Sequence, residues 1–358
     1  MSLKKTALIM AGGKGERFWP KSRTNLPKQF LSLTNDGKTM IQLTVERILP
    51  LVDMEDIYIA TNEAYKQLVR TQLPSLPEEN ILCEPVGRNT APCIGLGAVH
   101  IHHKYDDAVM IVLPSDHLIK NTSMFTDTLA QACEIAQEKE NLVTLGITPN
   151  YPETGYGYIK ADKNNVKDHA FKVECFVEKP NLELAKQYVG SGDYYWNSGM
   201  FIWKISTILS NIEKFLKETY DGLETIGSAI GTPSQEDVLK QVFPTLPSES
   251  IDYGVMEKAS DIYILPGNFG WDDVGSWLAI ERIKGCDNDH NTITGNVVLL
   301  DTTNCTIEAS DKLIAAVGVE NLIVVDTEDA TLICSKDKTN NIKMILEKLR
   351  EQKQERYL

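Results

Sequence analysis

From Thr6 to Gly146 the chain alternates short, β-branched apolar runs with longer stretches of helical period, and this alternation restricts the fold more than any other feature. A strand–helix repeat of that kind predicts an α/β layer on a mostly parallel sheet. Thr6–Met10 is a continuous apolar run ending in glycines, as expected of a central strand that feeds a functional loop. Apolar residues at 41, 45, 48 and 49 with Pro50 predict a helix over Met40–Leu51 and its stop. Ile57–Ala60 and Ile81–Cys83 read as short strands, and Thr90 with Pro92 just inside opens a helix over Ala91–His103. Ala108–Leu113 is the most apolar strand and stops at Pro114; Phe125–Gln137 reads as helix and Leu142–Gly146 as strand.

The texture then changes twice. From Tyr151 aromatics and glycines crowd together (TGYGYI, ECFVEKP, YYWNSGMFIW), which suggests an antiparallel insertion, and helices are expected over Ile205–Leu216, Asp237–Val242 and Val274–Lys284. From Asp287 short apolar runs (NVVLL, CTIEA, LIAAVGV, NLIVVD, ATLICS) recur roughly every nine residues between Asn, Asp, Ser, Thr and Gly turns. That spacing suits a small β-solenoid-like domain, or else extra strands on an ordinary sandwich. Ile342, Ile345, Leu346 and Leu349 form one face of a terminal helix that needs something to dock against. Two domains are therefore expected: a larger α/β domain over residues 1–286, Rossmann-like with the antiparallel insertion, and a C-terminal β-helix-like domain with its terminal helix over 287–358.

Charge narrows the partners. With 36 Lys+Arg against 50 Asp+Glu the formal balance is −14, which argues against nucleic acid as a partner because a phosphate backbone would be repelled. One small anion in a local basic pocket remains compatible with it. No run approaches the roughly 18 apolar residues of a membrane span, and the first apolar run reads as a strand and not as a signal peptide. The seven cysteines are odd in number, scattered and never in a C-x-x-C pair, so a reducing cytoplasm fits best.

Three constellations carry chemistry. Ala11-Gly12-Gly13-Lys14-Gly15-Glu16-Arg17 follows the first strand, where glycine lets backbone N–H groups approach a phosphate and Lys14 and Arg17 add charge. It is neither of the two common nucleotide fingerprints, since Phe18 stands where a third glycine would fall. Pro20 and Pro27 stiffen the loop that carries Lys28, and three cations on an acidic protein point to a triphosphate. The second constellation, Pro114-Ser115-Asp116-His117, ends the apolar strand where open α/β sheets bind their ligands. The third is Trp271-Asp272-Asp273-Val274-Gly275. Acids from distant segments suit a shared hard divalent ion or an acid/base pair, while the plainer reading of each is a helix N-cap. His117 reads as structural. His100, His102 and His103 share a helix at spacings that put only two on one face, and read as surface residues.

AGGKGERFWP…LPKQF, PSDH, FVEKP, YYWNSGMF and WDDVGSW, in that order, resemble the mannose-1-phosphate guanylyltransferases, the GDP-mannose-forming branch of the sugar nucleotidyltransferases, and the resemblance covers nearly the whole chain. It implies transfer of GMP from GTP to mannose 1-phosphate, giving GDP-mannose and pyrophosphate. It implies that Ala11, Gly12, Gly13, Lys14, Gly15, Arg17 and Lys28 hold the GTP phosphates, and that Mg²⁺ is held by Asp116 and Asp273, with Arg17, Lys28, Asp116 and Asp273 catalytic. Glu84, Gly87, Arg88, Asn89 and Thr90 resemble the family's base-recognition loop, although Asn89 or Thr90 also suits a helix cap. Gly157, Tyr158, Glu178, Lys179 and Asn197 resemble the hexose-binding set, with Lys179 neutralising the 1-phosphate; Tyr194, Tyr195 and Trp196 read as packing. A cytoplasmic homodimer is the expected form. The rivals are a glucose 1-phosphate enzyme using UTP or dTTP, and a non-catalytic regulator that binds GDP-mannose. Some family members carry a further cupin-like isomerase domain; the chain ends at Leu358, so no phosphomannose isomerase activity is expected.

Overall fold

A computed structural model describes residues 3–13 and 15–358. In chain order its strands are β1 (Lys4–Met10), β2 (Ile57–Asn62), β3 (Ile81–Glu84), β4 (Ala108–Pro114), β5 (Leu118–Ile119), β6 (Leu142–Ile147), β7 (Tyr158–Lys167), β8 (Ala170–Val177), β9 (Tyr194–Lys204), β10 (Ile262–Gly267) and β11 (Trp271–Asp272). The C-terminal strands follow: β12 (Thr292–Thr294), β13 (Val297–Leu300), β14 (Thr306–Glu308), β15 (Ile314–Val317), β16 (Leu322–Asp326) and β17 (Thr331–Ser335). Two compact units share these elements. One contains Met1–Gly12, Val45–Ser115 and Ile119–Trp271; the other contains Gly13–Thr44, Asp116–Leu118 and Asp272–Leu358. The units thus differ from a simple cut after residue 286, because the glycine loop and the Asp116 segment group with the C-terminal strands.

The first unit is built on a nine-stranded sheet of order β3-β2-β1-β4-β9-β6-β10-β8-β7. β1 lies parallel to β2 and β4, as the strand–helix alternation requires. β9 runs antiparallel to β4, β6 and β7, and β7 and β8 form a hairpin, so the aromatic stretch is the antiparallel insertion its texture suggests. Ala7, Leu8, Ile9 and the whole of Ala108–Leu113 are buried, which is why these strands read as unbroken apolar runs. The predicted helix after Asn89 spans Thr90–Lys104, and the Asn89 side chain accepts the Thr90 N–H at 2.9 Å. A helix over Lys217–Ala229 has no counterpart in the sequence reading; two glycines and a burial face of only four side chains hide its period. His102 and His103 are exposed as expected, but His100 is half-buried, with Nδ1 2.9 Å from the Leu96 carbonyl; burial holds its imidazole below the ordinary value.

In the second unit β12, β14 and β16 stack in parallel register, β17 closes that sheet antiparallel, and β13 pairs in parallel with β15. Parallel pairing between strands only a few residues long, one coil after another, is the β-helical alternative and not the sandwich. Its core joins Ile323, Val325 and Leu332 to Phe18, Trp277, Ile342 and Leu346. The helix expected over Val274–Lys284 is confined to Ala279–Lys284. The reason is local: Val274 is buried at φ 49°, a left-handed conformation that no β-branched residue adopts inside a helix.

Candidate active site

The glycine loop, the Asp116 segment and the tandem aspartates meet in the second unit. A cavity of about 380 Å³ is lined by Gly15, Glu16, Arg17, Phe18, Lys28, Asp116, His117, Asp273, Gly275 and Lys343. Lys28, on a 3₁₀ turn over Lys28–Phe30, places its ammonium 2.8 Å from Asp116 Oδ2 and donates to the Asp273 carbonyl at 2.8 Å. The ammonium also lies 5.8 Å from the centre of the Phe18 ring. Gly15 makes the close approach possible. It sits at φ 60°, and a Cβ there would fall 2.5 Å from both the backbone nitrogen and Cβ of Lys28. Arg17 donates from Nη1 to the Gly275 carbonyl at 3.4 Å, and Gln29 donates to the Gly13 carbonyl at 2.9 Å. Lys14 lies outside the described residues.

The two adjacent aspartates divide cleanly. Asp272 is buried, accepts the Val274 N–H at 2.8 Å and takes a two-pronged ion pair from Arg282, at 2.5 Å from Nε and 3.1 Å from Nη2. Its oxygens are committed to the fold. Asp273 lines the cavity and accepts the Gly275 N–H at 3.1 Å. The strained turn at Val274 reverses the chain between these two outlooks. Burial raises the affinity of Asp116 for its proton, but the Lys28 ammonium, and after it His117, outweigh this and hold the carboxyl below the usual carboxylate range. Asp116 is therefore a carboxylate near neutral pH. Among the described residues no group of three or more His, Cys, Asp or Glu is placed to hold a metal. Magnesium asks for less, one or two carboxylates with substrate phosphates and waters completing its shell, so Asp116 and Asp273 on one cavity fit it.

The remaining candidates lie in the first unit. Ala11 is buried at the end of β1, with its N–H on the Ala60 carbonyl at 2.7 Å. A Cβ on Gly12 would fall 3.2 Å from Glu84 Oε2, so the Glu84 carboxyl underlies the start of the glycine loop. Burial pushes Glu84 up to about 7, against a hydrogen bond from Cys93 that favours the carboxylate. The Arg88 guanidinium donates to the Pro244 carbonyl and the Thr90 hydroxyl accepts the Ile251 N–H at 2.8 Å, so both pin the loop to later chain; Gly87 and Asn89 stay exposed.

Of the residues expected to bind the hexose, Gly157, Glu178 and Asn197 come together. A Cβ on Gly157 would lie 2.8 Å from Glu178 Oε2 and 3.5 Å from Asn197 Cβ, so the three residues are close neighbours. Asn197 donates to Asp252 Oδ1 at 2.8 Å. Asp252 escaped the sequence reading; it opens a π-helical turn over Asp252–Met256, a signal no period reveals. Burial, and to a lesser extent Glu178, raises the Asp252 carboxyl above its ordinary value despite the Asn197 bond. Lys179 pairs with Glu178 at 2.7 Å, on the surface. Tyr158 is withdrawn from the set: its ring is fully buried against Tyr188 and its hydroxyl donates to the Glu153 carbonyl at 2.8 Å. Tyr195 and Trp196 are buried and Tyr194 stacks on Tyr188, which is packing, as expected.

The sequence profile of the nucleotidyl transferase family matches residues 6–288, and that of the MannoseP isomerase/GMP-like beta-helix domain matches residues 295–349. A mannose-1-phosphate guanylyltransferase of Klebsiella pneumoniae is 40% identical over 356 residues, covering 98% of this chain and 75% of that one. One of Salmonella montevideo is 41% identical over 353 residues, covering 96% and 74%. Among solved structures, a Thermus thermophilus protein described as a mannose-1-phosphate geranyltransferase is 35% identical with a TM-score of 0.88, covering 97% of this chain and all of that one (100%). Motif order, cavity chemistry and kinship agree: the chain belongs to the nucleotidyl transferase family, among the mannose-1-phosphate guanylyltransferases.

Proposed function

We propose that this chain transfers the GMP group of GTP to mannose 1-phosphate, giving GDP-mannose and pyrophosphate. The observation that carries this reading is the single cavity in which two acids from distant segments, Asp116 and Asp273, share walls with Lys28 and Arg17 beside the glycine loop. A sugar phosphate brings its own nucleophile, because its second ionisation lies near about 6 and leaves an anionic oxygen at neutral pH. That oxygen attacks the α-phosphorus, the bond from the α-phosphorus to the bridging oxygen breaks, and pyrophosphate leaves with the electron pair. No general base is required. The protein positions the reactants and neutralises charge on the triphosphate, which is the usual division of labour in phosphoryl chemistry.

Gly12, Gly13, Gly15, Arg17 and Lys28 hold the phosphates in this reading, with Lys14 on the same loop. Asp116 and Asp273 hold Mg²⁺, which when bound supplies positive charge to the phosphate oxygens. The Glu84–Thr90 loop takes the base through exposed Gly87 and Asn89 and backbone groups, since Arg88 and Thr90 are already committed. Gly157, Glu178 and Asn197 take the hexose, whose hydroxyls suit carboxylates and amides, and Lys179 takes its phosphate. Asp252 joins this set by fixing the Asn197 amide. Seven cysteines without a disulfide among the described residues support a reducing, cytoplasmic setting. No described helix is long and apolar enough to cross a membrane. Val298 and Leu300 on β13 and Val317 on β15 expose one apolar face, which supports a homodimer; light scattering at micromolar concentration checks it.

A substrate panel tests the reaction. Pyrophosphate release is expected with GTP and mannose 1-phosphate in the presence of Mg²⁺, and to be lost on chelation. Product from UTP or dTTP with glucose 1-phosphate, and none from GTP, would replace the base and sugar assignments. Tight binding of GDP-mannose with no turnover would make the chain a regulator.

A further inference from the structure

The cavity around Asp116 has one wall that none of the sequence motifs supplies. Lys343, the second residue of the terminal helix Ile342–Glu351, lines it alongside Arg17, Lys28 and Asp273. Ile342 and Leu346 of the same helix are buried in the core of the second unit, which fixes the rotation of the helix about its axis. Its far end is fastened to the glycine loop: Arg350 pairs with Glu16 at 2.7 Å, and Glu16 begins the 3₁₀ turn that carries Arg17. Beyond the helix, Trp19 Nε1 donates to the Tyr357 carbonyl at 2.7 Å. These ties reach Glu16 and Trp19, which flank Arg17.

The cations of the cavity are unequally committed. Lys28 lies between the Asp116 carboxylate and the Asp273 carbonyl, and Arg17 reaches the Gly275 carbonyl. Among the described residues Lys343 has no carboxylate partner within ion-pair distance. The Phe18 ring in the lining is buried and lies below the Lys28 ammonium, and most of the other lining side chains are charged. Its chemistry is that of a polyphosphate site.

We propose that Lys343 contacts the β- and γ-phosphates of the nucleoside triphosphate, the part that departs as pyrophosphate, so that the terminal helix is a wall of the phosphate site. This rests on the nucleotidyl-transfer reading but not on the identity of base or sugar. The Glu16–Arg350 pair acts as a positioning contact, holding helix and loop in one arrangement.

The test uses inorganic pyrophosphate with Mg²⁺ as a calorimetric probe of the full chain, together with steady-state kinetics. Lys343→Ala is expected to weaken pyrophosphate binding and raise KM for GTP by about tenfold or more, the scale of one charge-assisted hydrogen bond. KM for mannose 1-phosphate should stay within about twofold, and Lys343→Arg should restore most of the loss. Arg350→Ala should move the same two quantities by about threefold. Pyrophosphate affinity unchanged in folded Lys343→Ala, or absent in the parent chain, overturns the proposal. A parent chain that binds pyrophosphate through Lys343 yet yields no GDP-mannose overturns the guanylyl reading instead.

Discussion

Two acids of the second unit, Asp116 and Glu308, and two of the first, Glu84 and Asp252, are treated in opposite ways. In the second unit Asp116 faces Lys28, and Glu308 is enclosed between Lys21 at 2.5 Å and Lys284 at 2.7 Å. Burial alone would raise both carboxyls, but the lysines reverse the sign and hold them below the ordinary range. In the first unit Glu84 and Asp252 sit beside hydrogen-bond donors and, among the described residues, without a lysine or arginine partner, and burial raises both. Burial does not separate the two cases; the nearest cation does. Asp56, in the first unit, is a mixed case: it accepts the Tyr105 hydroxyl at 2.5 Å and pairs with Lys4 at 2.9 Å and Lys104 at 3.0 Å, and these together, the hydroxyl foremost, hold it below its ordinary value despite burial. The lesson is functional: ionised acids with cations in reach suit metal and phosphate, and acids whose hold on the proton is raised suit hydroxyls and ring nitrogens, which exchange hydrogen bonds.

The sharpest way to break this contrast is at Asp116. Asp116→Asn keeps the shape of the side chain and removes the charge that faces Lys28 and, in the proposed reaction, the metal. Turnover should fall by roughly a thousandfold, the several kcal/mol that a lost metal-ligand charge removes. The far-ultraviolet spectrum and sugar binding should change little. A normal rate at ordinary Mg²⁺ would put the chemistry elsewhere. Glu308→Ala comes next in size but strikes stability. It strands Lys284, whose side chain is only 9% exposed, and Lys21, and also removes the acceptor of Thr294 at 2.8 Å. Removing one partner of a buried pair costs about 3–5 kcal/mol, read as a shifted urea midpoint. Because the folded carboxyl lies below its ordinary value, its contribution is present at neutral pH and is lost as the solution is acidified through the carboxylate range. A loss within the scatter of surface substitutions would mean the ion pairs of the second unit are incidental.

How much of this was legible in the sequence follows the same physics. Unbroken apolar runs such as Ala108–Leu113 announced buried strands, since that pattern records burial directly, whereas the nine-residue rhythm after Asp287 suited stacked coils and a sandwich alike, and only the parallel pairing separates them. The preference for Asp273 over Asp272 rests on resemblance alone; in the fold the oxygens of Asp272 are taken by Arg282, ten residues on and part of no motif. Tyr158 shows the converse, a residue inside a functional motif whose ring serves the core. Lys343 and Asp252 were invisible because neither has a local signature. One depends on where a terminal helix docks, the other on a π-helical turn. What a single chain does not display is tertiary convergence, and these are the residues that depend on it.

The finest test of the contrast is a pH profile at Glu84. Its carboxyl, raised from 4.5 to about 7 by burial beneath Gly12, binds a proton more tightly in the folded than in the unfolded chain. The folded state therefore holds more protons between those two values, and stability must fall as pH rises through that window. The ceiling on the effect is about 3 kcal/mol. Glu84→Gln keeps the shape and a hydrogen-bonding partner for Cys93 while removing the proton. Urea midpoints compared at pH 5 and pH 8 should show the parent chain losing stability relative to Glu84→Gln, the reverse of the slope expected from Glu308 on acidification. Parallel curves for the two proteins would mean Glu84 carries its charge at no cost, and the opposition between cation-paired and unpaired acids would then fail on its unpaired side.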